Sequence, residues 1–271
     1  MPELPEVETT RRGIEPAVTS RTIDRVVVRE PRLRWRIPGE ITSLAPGQRV
    51  QQLRRRAKYL LFDLERGSMI LHLGMSCSLR VMPADTVPLP HDHVDIVLDS
   101  GMCLRFNDPR RFGSLLWTAD DPLKHPLLVR LAPEPLSDEF DAAYLARIAK
   151  GRRVAIKQLL MNSNLVVGVG NIYASEALFH AGIRPQRSAA RIRRDEFAPL
   201  VRSIRKVLRA AIRQGGTTLR DYVSPDGTPG YFRQKLFVYE RSGEPCRVCS
   251  TPIRRIVQGQ RATYYCPRCQ K

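Results

Sequence analysis

Between Thr22 and about Thr118 the apolar residues come in short runs: TIDRVVVR, the stretch from Arg49 through KYLLFDLE, SMILHL, HVDIVL, MCLRF and SLLW. Turn signals at Pro46-Gly47, Arg66-Gly67 and Ser100-Gly101 separate them. Short runs with such punctuation predict an antiparallel sandwich or barrel. One helix, roughly Pro5 to Ile14, precedes it.

After LAPEPL, where Pro133 and Pro135 interrupt the chain, the period lengthens. FDAAYLARIAK, VAIKQLLM, IYASEALFHAGI and EFAPLVRSIRKVLRAAIRQ carry apolar residues three and four apart and end near Gly or Pro, which predicts a helical second half. Beyond Gly216 the segment SPDGTPGYF leads into a small Cys-rich tail. The 271 residues allow one large domain or two ordinary ones, each with its own core.

Charge narrows the partner. Forty-five Lys and Arg against 27 Asp and Glu give a net charge of +18 and a pI of about 10.4, which calls for a polyanion. The cations cluster: Arg29, Arg32, Arg34 and Arg36; Arg49, Arg54, Arg55, Arg56 and Lys58; and Arg241, Arg247, Arg254, Arg255, Arg261 and Arg268 near the end. No basic amphipathic helix dominates this pattern, so nucleic acid fits better than a membrane. MPELPEVETT lacks the cationic start and apolar run of a signal peptide, and no apolar stretch is long enough to span a bilayer. Six cysteines without a secretion signal read as metal ligands or free thiols, with the cytosol as the expected compartment.

Cys246-Arg-Val-Cys249, sixteen residues, then Cys266-Pro-Arg-Cys269 is the spacing of two knuckles around one tetrahedral ion. Zinc is the assignment, and four protein ligands make the site structural. The intervening TPIRRIVQGQRATYY reads as a hairpin turning at or near Gly259-Gln260, too small for its own core, so the metal supplies its folding free energy. Cys77 and Cys103 lack such spacing and read as buried thiols.

Proline in second position becomes the first residue once Met1 is removed, leaving a secondary amine. With an α-amino pKa near about 8, a useful fraction is neutral and nucleophilic. Attack on an aldehydic sugar carbon gives an iminium that permits elimination of phosphate. Glu3 and Glu6, three apart at a helix start, would lie near the amine as proton donor or shuttle. The same decapeptide also reads as an ordinary cap, with Pro5 as the first helical residue and Glu6 and Glu8 complementing the dipole.

In LVVGVGNIYASEALF, Gly168 and Gly170 allow tight turns and Asn171 opens a helix, a phosphate site or simply a capped helix–helix turn. Met75, Arg110 and Phe112, in HLGMSCSLR and NDPRRFG, are candidate wedges into a duplex, with core packing as the plainer use.

PELPEVET, RRAKYL, HLGMS, DPRRFG, VGVGNIYASE, QGGTTL and the four-cysteine ribbon occur in one order along the chain. In this conjunction the whole sequence resembles the bacterial formamidopyrimidine-DNA glycosylases, bifunctional enzymes of 8-oxoguanine repair. The resemblance implies an α+β, multidomain fold. An N-terminal helix and antiparallel β-sandwich would span 1–132, and a helical DNA-binding domain of helix-two-turn-helix type 133–240, with a lesion-capping loop at about 217–231. A zinc-ribbon hairpin would span 241–271.

It also implies excision of oxidised purines through a Schiff base at Pro2, followed by β,δ-elimination. Glu3 would be the general acid, Glu6 a supporting carboxylate, and Lys58 a contact to the phosphate beside the lesion. His72, Arg110, Asn171 and Arg261 would grip the backbone around the flipped nucleotide, Lys58 and Arg261 counting with the catalytic set. His91 and Lys157 would join the DNA-binding residues, while Met75, Arg110 and Phe112 fill the vacated space. The partners implied are one structural zinc and duplex DNA carrying an oxidised purine or abasic site, with no membrane. Base flipping needs a single subunit, so a monomer is expected, in the bacterial cytoplasm and at the nucleoid through its DNA.

Cys77 departs from the pattern, standing where the family typically has glycine, and leaves open a shifted backbone or an engineered position. The related endonuclease VIII family applies the same proline chemistry to oxidised pyrimidines, but DPRRFG favours the purine enzymes. A zinc-ribbon DNA binder without catalysis is the alternative from another class.

Overall fold

The computed structural model describes residues 2–215 and 236–271. Met1 and the segment expected to cap the lesion, 217–231, lie outside the described residues. The described residues divide into two compact units, one of residues 2–129 with Gly215 and the other of residues 130–214 and 236–271.

In the first unit α1 (Leu4–Val18) outlasts the predicted helix by a turn, ending where the Thr19 N–H bonds Glu15 O at 3.0 Å. Val7, Ile14 and Val18 recur at helical spacing and enter the core. Eight strands follow: β1 (Ile23–Val28), β2 (Val50–Arg56), β3 (Tyr59–Leu64), β4 (Ser68–His72), β5 (Ser78–Pro83), β6 (Asp92–Leu98), β7 (Met102–Asn107) and β8 (Ser114–Thr118). They form two antiparallel four-stranded sheets, ordered β1-β6-β7-β5 and β2-β3-β4-β8. The open choice between sandwich and barrel thus resolves to two sheets. Leu53, Phe62 and Leu71 of one join Val94, Ile96 and Phe106 of the other in a single core.

Two elements were not anticipated. β5 is an edge strand whose only buried side chain is Leu79, so its pattern carries no clean alternation. The helix α2 (Glu40–Leu44) has five residues and buries only Ile41. The run from Arg49 also breaks into two strands at Ala57, whose φ of 53° permits the turn into Lys58.

The second unit contains α3 (Ala142–Ala149), α4 (Ile156–Leu160), α5 (Asn171–His180) and α6 (Arg194–Arg213), then the hairpin of β9 (Arg254–Gln258) and β10 (Arg261–Tyr265). The Asp141 carboxylate caps α3 by accepting the Tyr144 N–H at 2.7 Å. Gln258 pairs with Arg261, so Gly259 (φ 55°) and Gln260 (φ 60°) make a two-residue turn with both φ positive, as foreseen.

Glu176 on α5 accepts N–H bonds from Phe237, Val238 and Tyr239 at 2.8, 2.9 and 3.0 Å, fixing the chain that leads into the hairpin. Burial raises its pKa and the three donors offset part of that rise.

α6 corrects one expectation. Phe197, Leu200, Val201, Ile204, Val207, Leu208 and Ala211 go into the core, while Arg202, Lys206, Arg209 and Arg213 stand exposed opposite them. This is a basic amphipathic helix after all. Its apolar stripe is occupied by packing, which leaves nothing to insert into lipid.

Candidate functional site

At the start of α1 the Glu3 backbone N–H donates to Glu6 Oε2 at 2.8 Å, the reciprocal half of a capping box. Glu3 and Glu6 are only 2% and 4% exposed, and Pro2, which precedes Glu3, is half-buried. The cap is present, one position earlier than expected: Glu3 is the N-cap and Leu4 the first helical residue, so Pro5 is the second.

Behind them, Glu8 receives Arg12 Nε at 2.8 Å and Arg55 Nε at 3.0 Å. Burial works to raise the Glu8 pKa, but bonds from Arg11 and Arg12 and the charges of Arg11 and Arg55 outweigh it and hold it below its ordinary value. Arg55 also donates Nη1 to Ala57 O at 2.9 Å, so one guanidinium ties α1 to the turn carrying Lys58. Sequence reading counted Arg55 only as part of a basic cluster.

The register of β3 on β4 sets Tyr59 opposite His72, with ring centroids 4.8 Å apart. Burial first, then the charges of Lys58 and Arg34, lowers the His72 pKa to about 4. The ring is neutral near pH 7, and because Nδ1 accepts the Gly74 N–H at 3.0 Å, its proton is on Nε2. His72 therefore presents a neutral donor beside the Lys58 cation, a pair suited to a phosphate. Arg34 is a further cation of this face; its backbone N–H bonds Gly113 O at 3.1 Å, which seats its loop against the next one.

That loop, between β7 and β8, holds Arg110 and Phe112, and the loop between β4 and β5 holds Met75. Met75 and Phe112 are 40% and 42% exposed, and the exposed Arg110 guanidinium lies 4.7 Å above the Phe112 ring. Buried Asp108 accepts the Gly113 N–H at 2.7 Å, and its own N–H bonds the carbonyl of exposed His91 at 3.0 Å. Asp before Pro in DPRRFG was the available signal for this turn. Cys77 is buried beside it; burial, then the Asp108 charge, pushes the thiol well above its ordinary pKa. Cys103 is buried too. Pro2, Glu3, Glu6, Lys58, His72, His91, Met75, Arg110 and Phe112 all belong to the first unit.

The second unit assembles a cluster of its own. Lys157, expected at the DNA surface, is 1% exposed: its ammonium donates to Asn171 Oδ1 at 2.5 Å, Thr263 Oγ1 at 2.7 Å and Ala262 O at 3.3 Å. Asn171 Nδ2 donates to the same carbonyl at 3.0 Å. Lys157 thereby locks α4, the N-terminus of α5 and β10 together. Beside Ala262, Arg261 stands exposed. Gly168 (φ 74°) provides the turn before Asn171.

The four sulfurs of Cys246, Cys249, Cys266 and Cys269 lie within 4.8 Å of one another, with Cys246–Cys269 at 3.9 Å and Cys249–Cys266 at 3.4 Å. Thiolates at about 2.3 Å from a tetrahedral zinc would sit roughly 3.8 Å apart. The set fits one structural zinc. Among the described residues no helix is long and apolar enough to cross a membrane.

Three family models match: the formamidopyrimidine-DNA glycosylase N-terminal domain over 1–115, the formamidopyrimidine-DNA glycosylase H2TH domain over 131–223, and the zinc finger found in FPG and IleRS over 243–271. Formamidopyrimidine-DNA glycosylases of Thioalkalivibrio sulfidiphilus and Methylococcus capsulatus are 60% and 56% identical over 271 residues, covering all of both chains. The crystal structure of the MutM (Fpg) protein from Thermus thermophilus matches with a TM-score of 0.87 at 43% identity, over 99% of this chain and 98% of that one. A Lactococcus lactis Fpg mutant in complex with Fapy-dG-containing DNA matches over the whole of both chains with a TM-score of 0.92 at 31% identity.

Proposed function

The chain belongs to the formamidopyrimidine-DNA glycosylase family, and from that premise we propose how its residues divide the work of excising oxidised purines and cutting the strand. The Pro2 nitrogen, freed by loss of Met1, attacks C1′ of the lesion nucleotide. The glycosidic bond breaks with its electron pair going to the base. Glu3 protonates the departing base, the proton shed by the Pro2 nitrogen returns through the Glu3 carboxylate to the ring oxygen O4′ as the sugar opens, and the product is an iminium between Pro2 and C1′. Loss of a C2′ proton then expels the 3′ phosphate, and a second elimination expels the 5′ phosphate.

What supports this reading is the Glu3–Glu6 capping box at the head of α1, which buries two carboxylates one and four positions after Pro2 in the chain. Glu6 positions Glu3 through its backbone. Lys58 and the Nε2 proton of His72 contact phosphates flanking the nucleotide, and Arg110, His91, Asn171 and Arg261 hold further backbone. Met75 and Phe112, with Arg110, fill the stack when the base leaves it. Lys157 acts through Asn171.

In this division residues 1–132 catalyse, 133–240 bind DNA and 241–271 form the zinc hairpin, in a monomer of the bacterial cytoplasm that meets the nucleoid through its DNA.

Borohydride trapping tests the mechanism. A duplex carrying 8-oxoguanine opposite cytosine is expected to give a covalent adduct at Pro2, and a form retaining Met1 to bind the duplex without an adduct. Absence of any adduct with the processed chain would leave only a DNA-binding protein. Faster cleavage of thymine glycol than of 8-oxoguanine would assign the chain to pyrimidine lesions.

A further inference from the structure

Outside the groups assigned above, the most concentrated charge is on α6. Among the described residues, Arg202, Arg205, Lys206, Arg209 and Arg213 line a shallow concavity of about 370 Å³. Arg202, Lys206, Arg209 and Arg213 follow at four-, three- and four-residue steps, so they share one face over about 16 Å of helix. None of the five forms an ion pair among the described residues, and α6 has no acidic residue after Glu196. Arg205 is fixed at the floor: Nε donates to Pro135 O at 3.2 Å, and Nη2 to Ser137 O at 2.6 Å and Phe140 O at 3.0 Å.

Five cations this close repel one another, and a folded chain keeps such an arrangement at a cost unless an anion relieves it. The occupant's chemistry can be read from what surrounds the charges. No large hydrophobic residue of α6 is exposed, so the face lacks the apolar centre that a protein partner would bury. The apolar stripe of the helix is packed in the core and cannot enter a bilayer. A straight row of Arg-rich donors matches a row of phosphates, and about 16 Å corresponds to roughly five base pairs of duplex.

We propose that this face of α6 is a second DNA-binding surface, which takes an undamaged duplex segment while the lesion occupies the first. It would let the protein hold two stretches of DNA at once and pass between them without full release. The inference rests on the family reading for the first duplex, and uses none of the residues assigned to it.

The test is a titration of the full-length zinc-loaded protein saturated with a short lesion duplex, to which a labelled undamaged duplex is then added. The wild type is expected to take up the second duplex with a steep salt dependence. The Arg202→Gln, Lys206→Gln, Arg209→Gln, Arg213→Gln variant, changed only at exposed positions, should bind it at least tenfold more weakly. Its salt slope should fall by about 3 to 4, as four lost phosphate contacts dictate. Excision from the short duplex should stay within twofold.

Equal uptake of the second duplex by both proteins would overturn the proposal. So would an equal loss of affinity for the first duplex, which would make the face part of one continuous interface. A polyglutamate chain of matched charge that displaces the second duplex at lower concentration than DNA does would assign the face to an acidic protein instead. Failure to bind any lesion duplex would count against the family reading rather than against α6.

Discussion

Gly74 and Gly113 meet so closely that neither can carry a side chain: a Cβ on Gly74 would stand 2.5 Å from the Gly113 nitrogen. A Cβ on Gly113 would stand 2.6 Å from the Phe106 ring and 2.9 Å from Cys77 Sγ. This contact sets the loop of Met75 against the loop of Phe112. Gly74 also has φ of 62°, so Gly74→Ala combines backbone strain of about 1–3 kcal/mol with a backbone clash. Urea unfolding should show that loss, and excision should fall at least tenfold as Met75 moves. Gly47→Ala is the control, since it shares the positive φ with nothing within 4 Å. Equal effects of the two substitutions would mean that strain alone matters.

His72 carries a pH signature. Its pKa is lowered to about 4 from an ordinary 6.5, chiefly by burial. The unfolded chain then binds the proton more readily than the folded one, so this group leaves stability untouched above pH 6.5 and removes it as pH falls toward 4. The full effect reaches up to about 3 kcal/mol. Urea midpoints of the wild type should fall across that window more than those of His72→Gln. Parallel curves would place the ring in water rather than in the fold.

How much of this was legible follows from what each element presents to the core. The two-sheet core and α6 announced themselves because their apolar periods are unbroken, and the zinc knuckles because their spacing is fixed by ligand geometry. The edge strand β5 and the short α2 bury one side chain each and left almost no pattern. At the site, the N-terminal motif and the loop motifs were readable as residues, but their support was not. Arg55 bonds Glu8 from 47 positions away and Lys157 reaches Thr263 across 106, and neither partner can be read without the fold. Lys157 is the instructive case, since a cation expected at the DNA surface is instead held under Asn171 and β10.

That burial separates two roles for Lys157. A lysine touching phosphate contributes about 0.9 to the salt slope of binding, whereas one that only orients Asn171 contributes nothing to it. Lys157→Met leaves Asn171 Oδ1 and Thr263 Oγ1 without that donor inside the fold, so stability should fall by about 1–3 kcal/mol. Affinity for a short duplex should also fall about tenfold, with the salt slope unchanged. A slope lower by one would make Lys157 a direct phosphate contact.

The zinc site yields the remaining prediction. Val238, Ile253, Cys246, Cys266 and Phe179 form a small cluster around the four sulfurs, far less than the cores of the sheets or helices. Metal binding supplies about 10–16 kcal/mol in isolated zinc-finger peptides, more than this cluster could provide alone. Chelation, or Cys249→Ser, should therefore release one zinc per chain and expose the C-terminal hairpin to protease, leaving the two-sheet core intact. DNA affinity should fall with it, because Ala262 and Thr263 of β10 anchor Asn171 and Lys157. Four thiolates leave no open coordination position, so readdition of zinc should restore binding and adduct formation in the same proportion. Adduct formation recovering less than binding would give the metal a part in the chemistry that a closed site does not allow.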